Sequence, residues 1–129
     1  MSNRKFDQAY YIRYYEDRKT RVAEPAYFDN VARYLAAYSR LLGVQVRSIV
    51  DLGCGTGTLK KPLVKRFPKA SYVGVDISEY ACTKYGWELA ALSEYSSPQP
   101  FDLVVCHDVV QYLKNKEAKA AIENFANLC

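Results

Sequence analysis

Asp51-Leu52-Gly53-Cys54-Gly55-Thr56-Gly57 joins two segments of opposite periodicity. Before it, residues 48–52 form a short apolar run that predicts a buried strand. After it, Leu59, Leu63 and Phe67 recur along one helix face, which Pro68 ends. Glycine suits such a junction, because a residue without a Cβ lets the backbone turn sharply and lets a ligand approach it closely. Residues 71–77, rich in Tyr, Val and Ile, predict a second strand. Near its end stands Asp76, nineteen residues after Gly57. A carboxylate there can accept both hydroxyl hydrogens of a ribose, so strand, glycine loop, helix and acid together point to an adenosine-containing ligand. The bland alternative is a tight turn that binds nothing.

The loop also distinguishes among adenosine compounds. A dinucleotide site commonly reads G-x-G-x-x-G, with a helix N-terminus facing a pyrophosphate. Here the spacing is G-x-G-x-G, Thr58 fills the sixth position, and Asp51 stands just ahead of the loop. A carboxylate repels a diphosphate and attracts an ammonium or a sulfonium. S-adenosylmethionine carries both cations and no phosphate, which favours it over NAD.

Outward from the loop, strands keep alternating with helices. Ser78 is placed to cap a short helix over residues 79–84, and a weak strand follows at 87–90. A polar stretch with Pro98 and Pro100 leads to Phe101-Asp102-Leu103-Val104-Val105-Cys106, whose nearly continuous apolar character predicts a strand buried on both faces. Residues 116–128 put Ala121, Ile122, Phe125 and Leu128 on one helix face. On the N-terminal side, Pro25 suits a helix's first turn. Tyr27, Val31, Tyr34, Leu35, Tyr38 and Leu41 then follow the helical period until Gly43 stops it. Earlier still, Phe6, Tyr10 and Tyr14 recur at helical spacing in an aromatic segment over residues 3–19. The alternation implies an α/β fold with parallel pairing and right-handed crossovers. Residues 1–24 are expected to form a Tyr-rich N-terminal unit and residues 25–129 the α/β domain.

Composition narrows the class. The 129 residues, half hydrophobic and a quarter charged, suffice for one domain with a real core and exclude collagen-like and disordered chains. No apolar run reaches the roughly 20 residues of a spanning helix, and Arg4, Lys5 and Asp7 stand where a signal peptide would be apolar. Cys54, Cys82, Cys106 and Cys129 are scattered without a C-x-x-C pair. No metal is therefore expected, and reduced thiols in a cytoplasm are. Eighteen Lys and Arg against 14 Asp and Glu give a net +4, and the whole excess lies in residues 1–47, with 9 basic and 5 acidic side chains against 9 and 9 beyond. A nucleic-acid surface needs a denser basic stripe, so neither nucleic acid nor membrane is expected as a partner.

Over residues 49–113 the chain resembles the class I S-adenosylmethionine-dependent methyltransferases, in particular the small-molecule enzymes of the methyltransferase-domain superfamily. Ile49-Val50-Asp51-Leu52-Gly53-Cys54-Gly55-Thr56-Gly57 is similar to the family's first motif, whose loop holds the methionine part of the cofactor. That likeness implies cofactor contacts at Asp51, Gly53, Cys54, Gly55 and Gly57. Val73-Gly74-Val75-Asp76-Ile77-Ser78 is similar to the second motif, which implies that Asp76 binds the ribose and Ile77 packs on adenine. Residues 101–106 followed by Asp108-Val109-Val110-Gln111-Tyr112-Leu113 resemble the fourth-strand segment, where the strand end at Cys106 and the next turn meet the reactive centre. Some members carry an aromatic N-terminal helix before a Thr-Arg-Val like Thr20-Arg21-Val22, and there the helix acts as a lid. This implies further cofactor contacts from Tyr11 and Arg21. Two departures stand out. The acid that often follows the family's third strand aligns with Ala91, with Ser93 and Glu94 slightly late. The family sheet runs 3-2-1-4-5-7-6, whereas this chain stops after the helix following strand four. The resemblance thus implies a partial Rossmann-like sheet, 3-2-1-4, with flanking helices and an N-terminal helical lid.

Methyl transfer is an in-line displacement at a carbon activated by a sulfonium, so alignment of the acceptor at roughly 3–3.5 Å contributes much of the catalysis and no protein nucleophile is required. Asp51, loop carbonyls and a lid tyrosine such as Tyr11 or Tyr14 are suited to stabilise the cation. His107, the only histidine, follows strand four and suits a general base for an oxygen or nitrogen acceptor; it also suits a turn without chemistry. Cys54 reads as a small residue more than as a reactive thiol. The tyrosines read as a lid or as a packing face. The expected function is S-adenosylmethionine-dependent methylation of a small molecule. The alternatives are a noncatalytic cofactor-binding or partner-binding fragment and a NAD-dependent oxidoreductase. Nucleobase methylation is disfavoured, since Cys106-His107-Asp108-Val109 is not the Asn/Asp-Pro-Pro-Tyr/Phe of many amino-group methylases. An apolar fourth strand at an open sheet edge predicts either a fragment of a longer methyltransferase or self-association, through that edge or an apolar patch beside it.

Overall fold

A strand with no polar face must be covered on both sides. In β1 (Ser48–Leu52), Ile49, Val50 and Leu52 are fully buried in the computed structural model, which describes residues 3–129, with side chains from Lys5 onward. Residues 1 and 2 of the expected 1–24 unit, and the Arg4 side chain, lie outside the described residues. β1 pairs in parallel with β2 (Ser71–Asp76), β2 with β3 (Glu88–Leu89), and β4 (Leu103–Val105) takes the other side of β1. The order is β3-β2-β1-β4, as the resemblance implied. Leu52 stands opposite Val75 and Asp51 opposite Val105, so the glycine loop leaves the sheet where β2 and β4 also end.

The helices are α1 (Gln8–Tyr11), α2 (Pro25–Leu41), α3 (Lys60–Arg66), α4 (Glu79–Tyr85) and α5 (Asn115–Leu128). On one face of the sheet, Phe28 and Ala32 of α2 and Leu63 of α3 pack on Ile49 and Val105. On the other, Ala121 and Leu128 of α5 pack on Val50, Leu52 and Val75. Each buried Ile, Leu or Val contributes roughly 1.5–3 kcal/mol by leaving water. Ser78 caps α4 as expected, its hydroxyl oxygen accepting from the Ala81 amide at 3.2 Å.

Three elements differ from expectation. In α2, Phe28 and Ala32 are buried and the expected Val31 and Leu35 pack against the same cluster, while Tyr34 and Leu41 are 66% and 80% exposed. Tyr27, Tyr34 and Tyr38 share the helical period, but the buried ring of this helix is Phe28. β4 is shorter than residues 101–106, because the Phe101 amide donates to the Leu128 carbonyl at 2.7 Å and the Asp102 amide to the Ser48 hydroxyl at 3.0 Å. These bonds tie β4 to α5 and β1 before the ladder begins. The N-terminal segment is not one helix. A 3-10 turn (Asn3–Phe6), α1 and a π turn (Ile12–Glu16) succeed each other, and the break falls where extended Asp7 accepts from the Tyr10 amide at 3.0 Å.

Candidate functional site

The glycine loop is built for close contact. Gly53 has a φ of 76°, and a Cβ there would stand 2.6 and 2.8 Å from the Val109 methyls. Turn and packing both demand glycine. A Cβ at Gly57 would stand 2.7 Å from the Trp87 ring. The amides of Gly53 and Cys54 donate to the Val75 carbonyl at 2.7 and 3.1 Å, and Nε1 of Trp87 donates to the Gly55 carbonyl at 2.9 Å. β2 and the single tryptophan thereby fix the loop from beneath. Asp76 fixes it from the side. One carboxylate oxygen accepts from the Gly55 amide at 2.8 Å; the other accepts from the Ser78 amide at 2.9 Å and the Tyr11 hydroxyl at 3.4 Å.

Tyr11, Gly53, Gly55, Asp76 and Val109 border a cavity of about 330 Å³, within the range of small-molecule sites. Ile77, Leu92 and Leu113 give it apolar walls, and Phe6, Tyr10 and Tyr11 roof it. Ala91, Ser93 and Glu94 also line it, so the polar groups beyond β3 reach the cavity despite their late register.

Gly53, Gly55, His107 and Asp108 also border a second cavity, of about 570 Å³, together with Asp51, Cys54 and Tyr27. Asp51 is 2% exposed, and the Tyr72 hydroxyl donates to it at 2.7 Å. Burial lifts its carboxyl to about 6; the Tyr72 bond opposes this and the neighbouring Asp76 adds to it. The Cys54 thiol is pushed up by burial, then by Asp51 and Asp76, so it offers no ready thiolate. His107 Nε2 shares a hydrogen bond of 2.9 Å with the Tyr27 hydroxyl. Asp108, with φ of 60°, is the one non-glycine residue in the left-handed region among the described residues. Such a conformation costs on the order of 1–3 kcal/mol and is concentrated at functional sites.

Tyr11, Gly53, Gly55, Asp76, Ile77 and His107 thus meet around the first cavity, and Asp51 and Cys54 join at the second. Arg21, Gly57 and Cys106 line neither. Arg21 pairs with Glu24 at the rim of a third cavity. Gly57 packs on Trp87. Cys106, its thiol pushed up to about 12 by burial and then by Asp51, faces an outer groove beside α2. Sequence reasoning missed Tyr27, Tyr72 and Trp87 as parts of the site. Tyr27 carried only its place in a helical period, and Tyr72 and Trp87 read as strand residues whose polar atoms had no visible partner.

A family model described as a methyltransferase domain matches residues 50–129. The chain belongs to that family, and its likeness to class I S-adenosylmethionine-dependent methyltransferases is borne out. It is similar to the trans-aconitate 2-methyltransferase of Azoarcus sp. (strain BH72), 37% identical over 73 residues, which cover 51% of this chain and 29% of the relative. It is also similar to the malonyl-[acyl-carrier protein] O-methyltransferase of Legionella pneumophila, 37% identical over 82 residues, 55% of this chain and 29% of the relative. An S-adenosylmethionine-bound amino pentose methyltransferase from Micromonospora echinaspora shares the fold with a TM-score of 0.66 at 23% identity, over 78% of this chain and 46% of that one. The chain therefore spans under a third of the length of these two curated relatives.

Proposed function

We propose that the chain binds S-adenosylmethionine and takes part in transferring its methyl group to a small-molecule acceptor. The carrying observation is the Asp76 carboxylate, held by two loop amides and bordering a cavity with apolar walls. Asp76 is placed for a ribose, and Ile77, Leu92 and Leu113 for an adenine. Asp51 and the Gly55 loop suit a cationic methionine part and would repel a diphosphate. When bound there, S-adenosylmethionine supplies an electrophilic methyl group on a sulfonium. The aromatic roof excludes water, residues 1–24 acting as a lid over a 25–129 domain. His107, held by Tyr27, is placed to accept a proton from the acceptor in the second cavity.

The relatives' names speak of trans-aconitate, a carrier-linked malonyl group and an amino pentose, which supports a small-molecule acceptor. Among the described residues, no helix is long and apolar enough to cross a membrane. The four free cysteines fit a reducing cytoplasm.

Calorimetric titration with S-adenosylmethionine and S-adenosylhomocysteine tests the proposal, with NADH as the competing ligand. Asp76→Ala should lose about 2–4 kcal/mol of cofactor binding through two charge-assisted hydrogen bonds. Unchanged affinity in a variant that melts like the parent would falsify the placement.

A further inference from the structure

The third cavity, of about 390 Å³, shares Tyr15, Ala23, Phe28 and Thr58 with the second, so the two meet along a common wall. Its remaining apolar surface comes from Pro25 and Pro62, and its charges are Arg21, Lys61, Lys65 and Asp29. Most of these are already matched. Both oxygens of Asp29 accept from Arg66, at 3.2 and 3.1 Å, and Arg21 is paired with Glu24. On α3, Lys60 turns the other way, 5.7 and 5.3 Å from the ring centres of Tyr72 and Trp87. Lys61 and Lys65 are left. They stand one helical turn apart, and neither makes a hydrogen bond or ion pair among the described residues. Like charges at this spacing repel each other, and an anion held between them would remove the repulsion.

We propose that this cavity is the anion-recognising end of the acceptor site. It takes a carboxylate or phosphate borne on a small apolar body, with Lys61 and Lys65 binding the anion and Arg21 at the rim. The acceptor is thereby assigned to the class of anionic small molecules. The assignment rests on reading the second cavity as the acceptor's. The cofactor's own methionine carboxylate offers the same chemistry, and the experiment separates the two sources.

The protein saturated with S-adenosylhomocysteine is titrated calorimetrically with citrate and, separately, with inorganic phosphate. Saturable binding of at least one of them is expected, weakened by about tenfold or more in Lys61→Gln/Lys65→Gln. The charge-matched control Lys116→Gln/Lys119→Gln, on α5, should bind like the parent. Affinities for S-adenosylhomocysteine and for 5′-methylthioadenosine, which lacks the carboxylate, should stay the same in the α3 variant. The proposal is overturned if the parent binds neither anion saturably, or if both double variants weaken binding equally, the lysines then being a solvated face only. It is also overturned if the α3 variant loses affinity for S-adenosylhomocysteine and keeps it for 5′-methylthioadenosine, because the anion is then the cofactor's own. A parent that binds no S-adenosylhomocysteine fails the cofactor reading alone, and the anion titrations then decide this proposal on the unliganded protein.

Discussion

Asp51 is the residue whose folded environment is least comfortable and most useful. Burial lifts its carboxyl from an ordinary 3.8 to about 6, although the Tyr72 hydroxyl donates a hydrogen bond to it. The folded chain thus holds this proton more tightly than the unfolded chain does. The associated stability is fully present below about pH 4 and is lost as pH rises through about 6, a change of roughly 3 kcal/mol. A cation bound beside Asp51 reverses the preference, since it favours the ionised form. Cofactor affinity should therefore rise between pH 5 and 7.5, by about tenfold, and the rise should vanish in Asp51→Asn. Melting curves supply an independent check: the Asn variant should gain on the parent as pH increases through 6. A constant difference between the two proteins across that range would mean that Asp51 titrates normally.

At the scale of elements, the N-terminal segment packs beside the sheet and not in its central core. Phe6 and Tyr11 are buried with Ala81 of α4, the Tyr11 hydroxyl donates to Asp76 at 3.4 Å, the Ser78 hydroxyl donates to the Phe6 carbonyl at 2.6 Å, and Glu16 pairs with Lys84 at 2.9 Å. Exposed ion pairs contribute little to stability, and the two apolar clusters around β1 include no residue before Ala23. Removing residues 1–18 should leave the sheet folded, as judged by far-UV circular dichroism, and weaken cofactor binding by about tenfold or more as the roof is lost. Equal affinity in the truncated chain would reduce the aromatic segment to packing. The strands and the loop were legible because β1 and β2 are central, and central parallel strands are nearly pure apolar runs; their order in the sheet was implied only by the family resemblance. Asp76 was legible for a related reason, a lone acid closing such a run. The break at Asp7 was not, since a side chain capping an amide three residues on leaves the aromatic spacing intact. Nor was the His107–Tyr27 pair, which joins positions 80 apart in sequence through the docking angle of α2.

For the whole molecule, the question is what covers the free side of β4. Leu103 and Val104 are partly exposed, and a groove beside them is walled by Tyr27, Val31, Tyr34 and Leu35 of α2. Further along the same helix, Tyr38 is 49% and Leu41 80% exposed, and Tyr34 and Tyr38 stack on each other at 6.1 Å. An unpaired strand flanked by an apolar helix face is a site where another chain can add backbone hydrogen bonds and bury side chains together. α5 does not protect it, because α5 packs on a face of the sheet and its Leu128 carbonyl is taken by the Phe101 amide. We propose that a second copy of the chain occupies this edge, strand against strand. Light scattering over a range of concentrations should show the apparent mass rising above that of one chain. Tyr34→Glu and Tyr38→Glu, which put charges on the exposed apolar helix face, should each shift the equilibrium toward the monomer without lowering the melting temperature of the isolated chain. A concentration-independent monomer in the parent would sink the idea, and so would association that neither substitution weakens, since the contact would then lie on some other surface.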